Sequence, residues 1–235
     1  MNASSPDVPS DRPVALVTGA TRGIGRAIAT DLGRTHHVVV HGRSPEAVTA
    51  LVADLPSASP WVAELTDDEV AAPSLDRLDV LVHSAGVIGG RDVADTPAAE
   101  WRRVLDVNVV AVAEVTRQLL PALRAARGTV VTINSGAGFT AGAGGGVYAA
   151  SKFAARALAD ALREEERPHG VRVSSVHPGR VDTDMQHELV EAQGGEYRAE
   201  LYLEPASVAA AVRLVVDLPH GATVESLSVR PTRKG

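Results

Sequence analysis

Tyr148 and Lys152 stand four residues apart in Tyr148-Ala149-Ala150-Ser151-Lys152. Of the 23 basic residues, only Lys152 and Lys234 are lysines. A chain that meets almost every need for positive charge with arginine has kept a compact ammonium at this position. A planar guanidinium fork does not replace that ammonium. Residues i and i+4 share one face of a helix, so Lys152 can lie beside Tyr148. A free phenol has a pKa of about 10, and a nearby cation favours its ionised form. The pair is therefore a candidate proton donor and acceptor near neutral pH. Thirteen residues before Tyr148 comes Ser135, at the end of the apolar, β-branched run Val130-Val131-Thr132-Ile133-Asn134. Strand ends in α/β sheets are where ligands bind, so Ser135 is placed to hydrogen-bond the oxygen that Tyr148 would protonate.

A second constellation lies near the start. Val14-Ala15-Leu16-Val17-Thr18 leads into Gly19-Ala20-Thr21-Arg22-Gly23-Ile24-Gly25 and then a helical pattern. Glycines admit a phosphate close to the backbone, and the following helix N-terminus offers unpaired N–H groups. The spacing is Gly-x-x-x-Gly-x-Gly, longer by one residue than the Gly-x-Gly-x-x-Gly fingerprint. An NAD site places an acidic residue about 20 residues further on. Here the second strand ends Val40-His41-Gly42-Arg43-Ser44, with glycine where that acid would stand. Arg22 and Arg43 can converge on a 2′-phosphate and Ser44 can add a hydroxyl, which favours NADP(H).

These groups need elements to hold them. Short apolar runs alternate with longer helical patterns, which predicts an α/β fold: a doubly wound, mainly parallel seven-stranded sheet in a single domain. Strands are expected near 13–18, 37–41, 60–64, 79–82, 128–134, 171–177 and 223–229. Helices are expected near 23–34, 45–54, 98–126, 148–167 and 205–216. Residues 1–11 read as a disordered lead-in, and 12–235 as the NADP(H)-binding catalytic domain. The stretch 179–204 reads as a substrate lid. A net charge of −6 without a basic stripe argues against nucleic acid. There is no cysteine, and the eight histidines lack metal-ligand spacing, so no metal is expected. No apolar run approaches the roughly 18 residues of a membrane helix, and residues 1–11 lack a signal-peptide pattern. A cytoplasmic protein follows as the expectation.

Taken in order, the motifs resemble those of the short-chain dehydrogenase/reductase family, over residues 13–230. They are Thr18-Gly19-x-x-x-Gly23-x-Gly25, His83-Ser84-Ala85-Gly86, Asn108, Ser135, Tyr148-x-x-x-Lys152 and Pro178-Gly179-x-Val181-x-Thr183. The resemblance implies a catalytic tetrad. Tyr148 would be the general acid/base and Ser135 would hold the carbonyl. Lys152 would bind the nicotinamide ribose and tune Tyr148, and Asn108 would hold a relay water. It implies cofactor contacts from Gly19, Thr21, Arg22, Gly23, Ile24, Gly25, Arg43 and Ser44, and from Ser84, Ala85, Gly86, Tyr148 and Lys152. Glu64 and Leu65 would lie near the adenine, and Pro178, Gly179, Val181 and Thr183 around the nicotinamide. Two departures stand out. His83-Ser84 replaces the family's usual Asn-Asn, so the bonds bracing the central strands should differ. The segment 66–78, with Pro73, trims the usual third helix.

The expected activity is hydride transfer between NADP(H) and a small carbonyl or alcohol substrate, in a homodimer or homotetramer. A β-ketoacyl-carrier-protein reductase is the alternative within enzymes. A non-catalytic NADP(H)-binding sensor is the alternative outside them, disfavoured because Tyr148 and Lys152 are both kept.

Overall fold

The computed structural model describes residues 12–67, 70–192 and 194–233. The lead-in expected over 1–11, and Lys234, lie outside the described residues. Seven strands form one parallel sheet: β1 (Val14–Thr18), β2 (His37–Gly42), β3 (Ala58–Val62), β4 (Val80–His83), β5 (Thr129–Ile133), β6 (Arg172–Pro178) and β7 (Ser226–Val229). Their order in the sheet is β3-β2-β1-β4-β5-β6-β7. From β1 the chain winds outward to β3, then returns to lay β4 on the other side of β1. The crevice at the carboxyl ends of β1 and β4 is where such a sheet takes a ligand.

β1 shows why both faces are covered. Successive side chains point to opposite faces of a strand. Ala15 and Val17 accordingly pack with Ile28, Leu32, Val208 and Val212. Val14 and Leu16 pack with Leu81, Leu119, Leu123 and Leu162 on the other side. Helices α1 (Gly23–Leu32), α2 (Pro45–Asp54) and the late helix at Pro205–Val216 cover the first face. The second is covered by the helices at Ala111–Ala126 and Gly146–Glu166. Each fully buried Leu or Val removes enough apolar surface to contribute about 1.5–3 kcal/mol.

The element order meets the expectations; β7 begins at Ser226, three residues late, and three further differences stand out. β3 begins at Ala58, two residues early, because its register with β2 pairs Val38 with Ala58 and Gly42 with Val62. The helix expected over 98–126 is two helices, α3 (Ala98–Leu105) and α4 (Ala111–Ala126), joined by a five-residue π turn at Asp106–Val110. The stretch 179–204 contains a helix of its own, α6 (Asp184–Ala192), between α5 (Gly146–Glu166) and α7 (Pro205–Val216). Among the described residues, no helix is long and apolar enough to cross a membrane.

Candidate active site

The π turn carries the first site residue. Such a turn displaces one residue from the helical hydrogen-bond ladder and often marks function. Asn108 at its centre is buried. Its Oδ1 accepts from the Val87 N–H at 2.9 Å, and its Nδ2 donates to the Val87 carbonyl at 2.9 Å and to Ser151 Oγ at 3.0 Å. Ser151 Oγ in turn donates to the Tyr148 carbonyl at 2.7 Å. The Asn108 side chain thus ties the loop after β4 to α5.

Lys152 lies one turn beyond Tyr148 on α5, as the spacing predicts. Its Nζ sits 5.6 Å from the centre of the Tyr148 ring. It donates to the Ile133 carbonyl at 3.1 Å, and the residue is only 7% exposed. The ammonium is therefore anchored to the last residue of β5. Asn134 and Ser135 follow directly. Asn134 Oδ1 accepts from the Ser135 N–H at 2.8 Å, while its Nδ2 donates to the Lys152 carbonyl at 3.1 Å. Ser135 Oγ accepts from the Ala137 N–H at 3.1 Å. With that lone pair occupied, the hydroxyl keeps its own proton to donate outward.

Next to this lies a cleft of about 540 Å³ at the sheet's switch point. Gly19, Thr21, Arg22, Gly23, Ile24, Gly25, Arg43, Ser44, Glu64, Leu65, Ser84, Ala85 and Gly86 line it, joined by Thr183, Asp184 and Met185. It meets the proton-handling groups at Gly86, where an added Cβ would lie 3.3 Å from Asn108 Oδ1 and 3.9 Å from Lys152 Nζ. Gly19 has a φ of +64°, and a Cβ there would come within 2.8 Å of Ala85 Cα. Only glycine lets β1 and β4 open at this spacing. Thr18 Oγ1 clasps the other strand by accepting from the N–H groups of Ser84, at 3.1 Å, and Ala85, at 3.2 Å. At Gly42 a side chain would run into Thr21 Cγ2 at 2.6 Å and Val48 Cγ2 at 3.0 Å, so an acid there would have to push both side chains aside.

The charges at the rim are cationic but already partnered. Arg43 meets Glu64 at 3.4 Å and Arg22 meets Asp184 at 3.8 Å. Ser44 caps α2, accepting from the Ala47 N–H at 3.2 Å and donating to Glu46 at 2.7 Å. Of the Pro178-Gly179-Val181-Thr183 set, Thr183 lines the cleft, 3.2 Å from a Cβ placed on Gly23. Gly179 turns instead toward β7, its N–H donating to the Val229 carbonyl at 2.7 Å. Val181 pairs with Leu203 and closes the base of the 179–204 excursion. Above that base, Tyr197 stacks on His187 with ring centres 3.4 Å apart and donates to Asp182 at 2.6 Å. Burial, and then the Asp182 bond, push the Tyr197 phenol upward.

Three histidines matter in ways their scattered positions did not suggest. His41 Nδ1 accepts from the Gly19 N–H at 3.0 Å, and its Nε2 donates to the Ala63 carbonyl at 3.2 Å, so it pins the glycine turn to β3 as a neutral ring. Burial holds its pKa down at about 4. Trp61 packs against it at 4.6 Å. His83 donates from Nε2 to Thr116 Oγ1 at 2.8 Å, since that hydroxyl gives its own proton to the Val112 carbonyl. This is the bond that braces β4 on α4 where the family's usual asparagine is missing. Burial, then His41, press the His83 pKa to about 3. His177, at the end of β6, is fully buried beside Ser135. Among the described residues, no cluster of three or more His, Cys, Asp or Glu could hold a metal.

Comparison with known proteins places the chain in a family. The sequence profile of the short chain dehydrogenase family matches residues 13–194. Serine 3-dehydrogenase of Rhizobium radiobacter is 31% identical, the match covering 93% of this chain and 94% of that protein. Glycine betaine reductase ATRR of Emericella nidulans is 32% identical over 96% of this chain, which spans only 19% of that protein's length. Among solved structures, a variant of actinorhodin polyketide ketoreductase with NADPH superposes with a TM-score of 0.84 at 27% identity, over 95% of this chain and 98% of that one. The chain belongs to the short-chain dehydrogenase family of oxidoreductases.

Proposed function

We propose that the protein is an NADP(H)-dependent oxidoreductase that interconverts a small carbonyl compound and its alcohol. One observation carries this reading. The Lys152 ammonium lies 5.6 Å from the centre of the Tyr148 ring and is bonded to Ile133, two residues before Ser135, beside a cleft lined by glycines. The residues present fit such a cofactor: a backbone turn that excludes Cβ atoms for the diphosphate, and Arg22 and Arg43 for a 2′-phosphate. When bound, the nicotinamide supplies the hydride to the carbonyl carbon or accepts it from the alcohol. Tyr148 gives its proton to the carbonyl oxygen, or removes it in the reverse direction. Ser135 donates a hydrogen bond to the same oxygen, and Lys152 steadies negative charge on the phenol oxygen. Asn108 holds β4 and α5 at the separation this requires. Residues 12–235 act as one catalytic domain, with 179–204 as its substrate flap.

Free, neutral carbonyl compounds are the proposed substrate class. Residues 185–204 of the flap carry Glu188, Glu191, Glu196, Glu200 and Glu204 against Arg198, a negative field that opposes an acidic carrier protein. Similarity to a polyketide ketoreductase keeps carrier-bound β-ketoacyl groups as the second reading. A screen of aldehydes, ketones and a β-ketoacyl carrier substrate, followed by NADPH and NADH absorbance, tests both. Turnover of free carbonyls with NADPH supports the proposal. Faster turnover of the carrier substrate at moderate salt overturns the substrate class, and no turnover of any carbonyl favours the non-catalytic sensor.

A homo-oligomer in the cytoplasm completes the reading. Phe139 and Phe153 are partly exposed beside α5, with Arg156 4.9 and 5.3 Å from their ring centres. That patch suits a self-contact, which measuring the mass in solution by light scattering would check.

A further inference from the structure

His177 takes no part in the reading above, yet it touches the residue on which that reading depends. The Ser135 carbonyl can only accept, so the 3.2 Å contact requires that His177 Nδ1 carry the proton. Ser135 then has four partners. Asn134 Oδ1 takes its N–H, the Ala137 N–H meets its hydroxyl oxygen, and its carbonyl accepts from the Gly138 N–H at 3.0 Å as well as from His177. Asn134, Ala137 and Gly138 lie within three residues of Ser135 and move with its loop. His177 alone comes from another strand. It belongs to β6 and is itself fixed: its carbonyl accepts from Arg230, just beyond β7, and its ring packs 4.4 Å from Phe139. Arg230 also reaches back over the serine loop, its Nη2 3.4 Å from a Cβ placed on Gly136.

We propose that His177 is a positioning residue that sets the Ser135 carbonyl, and hence its hydroxyl, by a hydrogen bond from Nδ1. The inference rests on Ser135 acting on the substrate oxygen. Burial lowers the His177 pKa, the bond to Ser135 opposes that, and the positive charges of Arg156, Arg230 and Lys152 add to the lowering.

Two replacements separate positioning from filling space. Asparagine puts an amide donor where Nδ1 stands, and glutamine, nearer histidine in volume, puts it where Nε2 stands. His177→Asn should keep kcat within about threefold. His177→Gln should lose between about tenfold and 100-fold in kcat, the cost of misplacing a reacting group by about 1 Å. NADPH affinity should stay unchanged in both. A purely structural histidine predicts the opposite order, so equal losses or a better glutamine variant would overturn the proposal. Phe139→Leu removes the packed ring and leaves the hydrogen bond, so its kcat should stay within about twofold even if its thermal midpoint falls. A loss there matching the glutamine variant would also overturn it. Ser135→Ala is the control. If that variant keeps full kcat, the catalytic reading of Ser135 fails. If it is inactive while the asparagine and glutamine variants behave alike, only the role of His177 fails.

Discussion

Lys152 and Arg43 are both cations in the same site, and they are built in opposite ways. Lys152 is buried, its ammonium bonded to a main-chain carbonyl at 3.1 Å and its own carbonyl bonded by Asn134 at 3.1 Å. Arg43 has a side chain 70% exposed and meets one carboxylate at 3.4 Å. Arg22 is similarly placed, 61% exposed and 3.8 Å from Asp184. The first region is fixed before any ligand arrives, as catalytic electrostatics requires. The second is a loose rim whose arginines must exchange a carboxylate for a phosphate. Surface pairs of that kind are worth at most about 1 kcal/mol, so the exchange costs little. Under the proposed function, proton chemistry would sit on rigid strand and helix ends, and cofactor discrimination on exposed side chains.

The sharpest way to break this contrast is at the fixed region. Tyr148→Phe removes one oxygen and the proposed proton donor. Turnover should fall by about 100-fold to 10,000-fold, the usual range for general acid–base catalysis, with NADPH affinity intact. Wild-type turnover would end the assignment. Lys152→Arg tests rigidity rather than charge, because the fork cannot reproduce the ammonium's bond to Ile133. A loss of about 100-fold in kcat is expected by steady-state kinetics. If arginine works, the fixed geometry around Lys152 is not what matters.

Acid should reach the buried framework next. His41 and His83 have folded-state values near 4 and 3, below the usual 6.5. Between those values the unfolded chain binds protons that the folded chain refuses, so stability falls as pH falls. The contribution is complete above about pH 6.5, and each histidine adds a slope of about 1.4 kcal/mol per pH unit below it. Urea midpoints at pH 7, 6 and 5 measure this. His83→Asn should remove one histidine's share of that slope, and a flat profile in the unaltered protein would contradict the buried rings. The smallest effect belongs to the rim. Arg43→Ala should weaken NADPH binding by about tenfold, the low end for losing a charge-assisted contact, and leave NADH nearly unchanged. Equal NADH and NADPH affinity in the unaltered protein, measured by calorimetry, would remove the rim's proposed role.

Much of this contrast is legible in the sequence, but unevenly. β1, β2 and β4 are short runs of Val, Leu and Ala buried on both faces, and such runs announce parallel strands without any need for contacts. Tyr148-x-x-x-Lys152 and the glycine turn are local patterns, so their positions followed from helix and turn geometry. The π turn was hidden because the amphipathic pattern of α3 runs into that of α4 without a proline or glycine. The roles of His41, His83, Asn134 and His177 were hidden for another reason. Each bonds main chain or a hydroxyl on an element distant in the fold, and nothing in a residue's own neighbourhood records such a partner. Only His83 left a trace, by standing where the family usually has asparagine. The flap's stack of His187 on Tyr197 likewise joins residues ten apart through a turn that periodicity does not describe.

The chain has two tryptophans, and one of them, Trp61, lies against the ring that holds the glycine turn. Its indole N–H donates to the Ala71 carbonyl at 3.2 Å, so its orientation is set from the opposite side. Indole emission responds to the polarity and charge of what it touches. In spectroscopic terms the nucleotide cleft has a built-in reporter, one bond removed from the phosphate cradle. With Trp101→Phe as background, a single emitter would follow the settling of Gly19 as nucleotide binds, without an attached dye.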